Sequence, residues 1–194
     1  MTVSYVKCAK TKGYLRIGIT TDSGNREFTV SEKDCNKAGG VSVGDNLTRD
    51  TFEFLSYSDM EYKAQIKALR ILSYGDNSER MLLRKLTASG ISRDVAEKTV
   101  SEMVNLGYIN TSRQLELLIT NEVNLNSAGP RKIVNKLALK GYGVKDITEK
   151  ISELERRGEI DFNKAKERLI KSKLRDEKDR EEIKKLLYKN GYFV

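Results

Sequence analysis

Three times in this 194-residue chain a leucine, three intervening residues and a glycine stand in a row. They are LTASG at 86–90, LALKG at 137–141 and LYKNG at 187–191, and the glycines lie 51 and 50 residues apart. A fixed period of that size predicts tandem supersecondary units, and it constrains the fold more than composition does.

The phrase reads as a helix C-terminus. Leucine packs inward one turn before a glycine that takes the left-handed conformation without a Cβ clash. Eight residues before Leu86, Leu137 and Leu187 stand Ser78, Gly129 and Asp179, all acceptable N-cap residues. Pro130 falls at a first helical position, where its missing N–H costs nothing. Asp179 and Glu182 have the spacing of a capping box.

Each such helix is preceded by another. Ala64, Ala68, Leu69 and Leu72 share one helical face, as do Leu115, Leu118, Ile119 and Val123, and then Phe162, Ala165 and Leu169. A third helix follows in the first two units, where Ala96, Val100 and Met103 match Ile147, Ile151 and Leu154 at an offset of 51. Gly107 and Gly158 close these helices at the same offset, followed by Ile109 and Ile160. The third unit ends at Gly191-Tyr-Phe-Val, where its third helix would begin, and its apolar end points to a truncated repeat.

The first part of the chain is written differently. VSYVKC, YLRIGI and REFTVS are rich in β-branched and aromatic residues and predict three short strands, with turn chemistry at Thr21–Asn25. Ser31–Ala38 predicts a short helix and GGVSVGD a loop. Thr48 is a candidate cap for a helix near 48–56, with Ser56–Met60 as a hinge. The fold class expected is α+β: a small β-rich domain at 1–56, then an elongated all-α array of three-helix repeats. Their bounds are 57–110, 111–161 and an incomplete 162–194. Units of about 50 residues lie near the lower limit for independent stability, so neighbours are expected to share apolar faces.

Charge follows the same division. Residues 1–60 carry eight basic and eight acidic residues, so the whole net charge of +8 belongs to 61–194. A basic excess confined to the repeats predicts a surface that meets polyanion, most simply nucleic acid. The candidates recur on second helices: Arg80, Arg84 and Lys85; Arg131, Lys132, Lys136 and Lys140; Lys184 and Lys185. First-helix residues Lys67, Arg70, Lys164, Arg168 and Lys171 join them as candidates. Glu79, Glu181 and Glu182 interrupt the stripe, so solvated helix faces are the competing reading.

The chain contains no histidine. That removes the commonest general base and metal ligand, and with them every Ser/His/Asp or Cys/His nucleophile. No catalytic residues, metal or cofactor are expected. KGYGVK lacks the spacing of a phosphate-binding loop. The acidic residues at 176–182 alternate with Lys and Arg, the pattern of a salt-bridged helix. Tyr74, Tyr108, Tyr142, Tyr188 and Tyr192 sit near helix ends, where packing is the expected role. Cys8 and Cys35 form no CxxC pair, and the start lacks the order of an export signal. Reduced thiols, a cytoplasmic location, no membrane span and a monomer are the expectations.

The ordered series ALRILSYGDNSERMLLRKL (68–86), VSEMVNLGYIN (100–110) and GPRKIVNKLALKG (129–141), with the shortened third unit, resembles the RecX regulatory proteins, modulators of the recombinase RecA. The likeness covers 60–194. Gly75 stands where the family often has arginine, and Thr111 and Leu115-Glu116 depart from its usual Asp and Phe-Ala. The β-rich start is similar to the extra N-terminal region of longer members. The resemblance implies a non-enzymatic inhibitor lodged in the groove of the RecA–single-stranded DNA filament, lowering its growth, ATPase, strand-exchange and coprotease activities. It implies a place in recombination, DNA repair and the SOS response. Partners are then RecA and single-stranded DNA, with double-stranded DNA a further candidate. The alternative from the residues is a DNA-binding protein, sequence-independent or helix-turn-helix-like, although third helices RDVAEKTVSEMVNLG and KDITEKISELERRG are acidic for base reading.

Overall fold

The computed structural model describes residues 1–174 and 180–193. These form a three-stranded antiparallel sheet followed by helices, in two compact units: 1–74 with 83–103, and 75–82 with 104–194.

The sheet contains β1 (Thr2–Cys8), β2 (Tyr14–Thr21) and β3 (Gly24–Ser31) in the order β1-β2-β3. Alternation puts Ile17, Ile19, Phe28 and Val30 on a buried face with Val3, Cys35 and Leu55. Each edge is engaged at one point, which blunts it as a template for unwanted strand pairing. Beside β1, the Val3 N–H donates to the Asp45 carbonyl and Gly44 N–H to that of Val3, each at 2.9 Å. Beside β3, the Thr29 N–H donates to Asp59 Oδ1 at 2.9 Å.

Helix α1 (Glu32–Lys37) starts at the Ser31 cap, as its sequence predicts. Helix α2 (Arg49–Ser73) starts at the Thr48 cap and then runs unbroken for 25 residues. The hinge expected at Ser56–Met60 is therefore helical, and the boundary expected at 56/57 falls inside α2. The polar residues that imitate a break are buried against the sheet unit. Asp59 accepts from Thr29, as above, and from Lys63 Nζ at 2.6 Å; Ser58 Oγ donates to Asp34 Oδ2 at 3.2 Å.

The period of the sequence recurs in the helices. Helices α3 (Glu79–Ala88) and α4 (Arg93–Asn105) are followed by α5 (Thr111–Asn124), and α6 (Pro130–Leu139) and α7 (Val144–Arg156) reproduce α3 and α4 at an offset of 51 at both ends. Helices α8 (Phe162–Lys173) and α9 (Arg180–Lys189) follow. Leu86, Leu137 and Leu187 are buried, and Gly90, Gly141 and Gly191 have φ of 88°, 88° and 86°. Ala96, Val100 and Met103 are buried, as are Ile147, Ile151 and Leu154. In the first unit, α2 and α4 are bridged by Gln65 Nε2 donating to Glu102 at 2.8 Å and by a Lys98–Glu61 ion pair. In the second, one apolar core draws on α5 to α9 and includes Tyr142 and Tyr192. The proposed Asp179 cap, and Asp176 and Glu177 of the acidic run, lie outside the described residues.

Candidate nucleic-acid interface

The second helices carry their basic residues on exposed turns, and the ends of these helices meet. The N-terminus of α6 abuts the C-terminus of α9. Gly129 N–H donates to the Asn190 carbonyl at 2.7 Å, and Arg131 N–H to that of Gly191 at 3.1 Å. The N-terminus of α3 meets the C-terminus of α6 in the corresponding way, with Ser78 Oγ donating to the Lys140 carbonyl at 2.6 Å. Each junction sets the partly positive end of one helix on the partly negative end of another.

At the α6–α9 junction this arrangement gathers charge. The Arg131 guanidinium lies 4.1 Å from the centroid of the Tyr188 ring and donates to the Tyr188 carbonyl at 2.8 Å. Lys132 Nζ donates to Asn190 Oδ1 at 3.0 Å. With Asn135, Lys136, Leu139, Lys189 and Gly191 they line an open cavity of about 400 Å³. Lys136 is neutralised by Glu122 at 2.5 Å. Arg131, Lys132 and Lys189 remain without a carboxylate partner among the described residues. Tyr188 and Leu139 add exposed apolar surface, 59% and 83% accessible. Cations beside an exposed ring suit a single-stranded polyanion whose phosphates and bases need separate partners.

The other candidates are spread more widely. Arg80 sits at the α3–α6 junction, 3.2 Å from where a Cβ on Gly141 would lie. Arg84 and Lys85 are exposed farther along α3, Lys140 is the C-cap of α6, and Lys185 is exposed on α9. Lys184 is 3.9 Å from Glu181. Lys67 and Arg70 lie on α2 in the other compact unit. On α8, Arg168 donates to the Val123 carbonyl at 3.1 Å and so ties α8 to α5, while Lys164 sits 3.7 Å from Asp161 and Lys171 is exposed. The structure thus assembles Arg131, Lys132 and Lys136 into one cavity and leaves the first-helix residues apart.

Lys189 and Tyr188 are the residues that the sequence pattern missed. Lys189 follows Lys185 by one helical turn, a signal that was available. Tyr188 resembles the packed Tyr142 and Tyr192 in sequence position near a helix end, yet those two are buried and Tyr188 is not. Burial pushes the Tyr142 phenol up and that of Tyr192 to about 12. The Tyr192 hydroxyl donates to the Ser127 carbonyl at 3.0 Å. Among the described residues no acidic or cysteine cluster is arranged to hold a metal ion, and no helix is long and apolar enough to cross a membrane.

No protein-family model matches the chain. The regulatory protein RecX of Clostridioides difficile (strain 630) is 30% identical over 173 residues, which make up 89% of this chain and 78% of that protein. The Thermotoga sp. (strain RQ2) protein of the same name is 32% identical over 128 residues, 64% of this chain and 74% of the relative. That of Lactobacillus gasseri is 27% identical over 153 residues, and the chain spans only 55% of its length. The crystal structure of a regulatory protein RecX covers 99% of this chain and 94% of its own at a TM-score of 0.74 and 18% identity. RecX from Lactobacillus salivarius covers 70% and 90% at 0.59 and 21%. At those identities the crystal structures speak for the fold, which is an N-terminal three-stranded sheet followed by helices. With the sequence relatives they lead to one conclusion: the chain belongs to the RecX family of regulatory proteins.

Proposed function

We propose that the chain is a non-enzymatic negative regulator of the RecA recombinase. It binds the RecA–single-stranded DNA filament in its groove and lowers filament growth, ATP hydrolysis, strand exchange and coprotease activity. The observation that carries this reading is membership of a family of regulatory proteins, coupled with a cationic cavity in place of a catalytic constellation. The cavity around Arg131, Lys132, Lys189 and Tyr188 supplies the auxiliary contact to DNA. Its role is to add phosphate attraction to a protein-mediated interaction, without reading sequence.

Co-sedimentation of the full chain with RecA assembled on single-stranded DNA tests the proposal. The chain is expected in the pellet with the filament. Recovery in the supernatant alone rejects it. The full chain is the right reagent: a fragment beginning at residue 61 cuts α2 and removes most of the compact unit that residues 1–74 form with 83–103.

A sequence-independent DNA-binding protein is the second reading, favoured by the same cavity. It predicts equal binding to DNA with and without RecA.

A further inference from the structure

Beside the start of α5 is an open cavity of about 310 Å³, lined by Asp76, Tyr108, Asn110, Arg113, Gln114 and Leu117. All six belong to one compact unit. Gln114 is the most buried of them, only 6% accessible. Its Oε1 accepts from the Tyr142 hydroxyl at 3.0 Å. Its Nε2 has no partner among the described residues and opens to the cavity. A buried amide with an unspent donor is costly unless something in the site takes the bond.

The rim is unspent as well. Arg113 and Asp76 carry no ion pair among the described residues. Asp76 lies near enough to Tyr142 to add to the burial that pushes that phenol up. The other carboxylate nearby, Glu79, accepts from Thr111 Oγ1 at 3.2 Å. Tyr108 and Leu117 are 53% and 55% accessible.

The repeat supplies a control. Helices α5 and α8 start at an offset of 51, from the caps Asn110 and Asp161. At that offset Tyr108, Arg113, Gln114 and Leu117 become Glu159, Lys164, Ala165 and Arg168. There each charge is engaged: Glu159 by Arg157, Lys164 by Asp161 and Arg168 by the Val123 carbonyl. Ala165 is buried and has no polar group. The earlier copy thus replaces internal pairs with an exposed ring, an exposed leucine and unspent hydrogen-bonding groups.

An apolar rim around a few convergent polar groups is the build of a ligand site. The ligand needs a flat face for Tyr108 and Leu117, an acceptor for Gln114, a donor for Asp76 and an anion for Arg113. An aromatic side chain of a peptide lacks the anion. A nucleobase with its phosphate supplies all four.

We infer that this cavity holds one unstacked nucleotide, its base on Tyr108, its base edge on Gln114 and Asp76, and its phosphate on Arg113. Bases that carry an amino group beside a ring acceptor match that edge. Thymine, whose one ring N–H stands between two carbonyl oxygens, sets an oxygen against the Asp76 carboxylate. The nucleotide belongs to single-stranded DNA or is free in solution. The inference does not rest on the RecA reading, and it is tested without RecA.

Fluorescence anisotropy with oligodeoxycytidine and oligothymidine of equal length provides the test, beside isothermal titration with deoxycytidine monophosphate. The cytosine oligonucleotide is expected to bind about fivefold more tightly than its thymine counterpart. Asp76→Asn is expected to erase that ratio, and Tyr108→Ala to weaken the cytosine oligonucleotide about fivefold, the share of one stacked base. Lys189→Gln, at the other cavity, is expected to weaken both and keep the ratio. All three positions are exposed, and unchanged thermal melting confirms folding. A ratio that Asp76→Asn erases assigns the site to single-stranded DNA. A ratio of one, with monophosphate binding that Asp76→Asn abolishes, assigns it to a free nucleotide. A ratio of one or below without monophosphate binding overturns the inference, as does a preference that Asp76→Asn leaves intact.

Discussion

Gly129 and Gly191 meet backbone to backbone. A Cβ on Gly129 would lie 2.5 Å from the carbonyl carbon of Gly191 and 2.6 Å from its oxygen. The φ of Gly129 is −80°, which any residue adopts, so glycine is needed here for space alone. Gly129→Ala is expected to destabilise the chain by about 1–3 kcal/mol through overpacking. Gly90→Ala meets open space and suffers only its left-handed φ, about 1–2 kcal/mol. Urea denaturation of both variants checks the pair. A harmless Gly129→Ala would contradict the close junction.

Ser78 serves two helices. Its hydroxyl donates to the Lys140 carbonyl and accepts from the Met81 N–H at 3.2 Å. Ser78→Ala loses both and is expected to lower stability by about 1–2 kcal/mol. Ser78→Gly keeps the N-cap conformation found at Gly129 and is expected to recover part of the loss. The measurement is the denaturation midpoint, compared with that of an exposed serine variant such as Ser172→Ala.

Tyr192 predicts behaviour in alkali. Burial raises its phenol to about 12, whereas an unfolded chain ionises it near 10. The neutral phenol's contribution is therefore fully present below about pH 10 and is lost as pH climbs towards 12. Tyr192→Phe lacks the bond to Ser127 and is expected to be less stable at neutral pH. Above pH 10 the difference from wild type narrows, because phenylalanine has no proton to lose. Thermal melts of both proteins, from below the ordinary value near 10 up to about 12, provide the comparison.

The cationic cavity predicts a salt dependence. Lys189→Gln is expected to weaken binding to single-stranded DNA and to reduce the slope of log K against log salt by about 0.7, the share of one phosphate contact. Lys164→Gln, on α8 beside Asp161, is expected to change the slope little. Fluorescence anisotropy with a labelled oligonucleotide at several salt concentrations distinguishes them. Equal effects from both would deny the cavity a special role.

The repeat was legible because helix ends are local. Gly90, Gly141 and Gly191 announce left-handed caps whatever surrounds them, and the leucines before them announce burial. Continuity of α2 was not legible, because Ser58 and Asp59 look like loop residues until Thr29 and Asp34 are brought beside them. The same limit applies to the site. Arg131, Lys132 and Lys136 stand out as a basic run on α6, but Tyr188 and Lys189 join them only through packing of α6 against α9. Arg168 shows the reverse, since its charge is engaged by the Val123 carbonyl, a partner 45 residues away.

The proposed restraint of RecA is read out by titrating the full chain, below equimolar amounts, into a RecA ATPase assay on single-stranded DNA. ATP hydrolysis is expected to fall progressively, with less chain than RecA sufficing. An ATPase rate unchanged at every addition, with filament assembly intact, would contradict it.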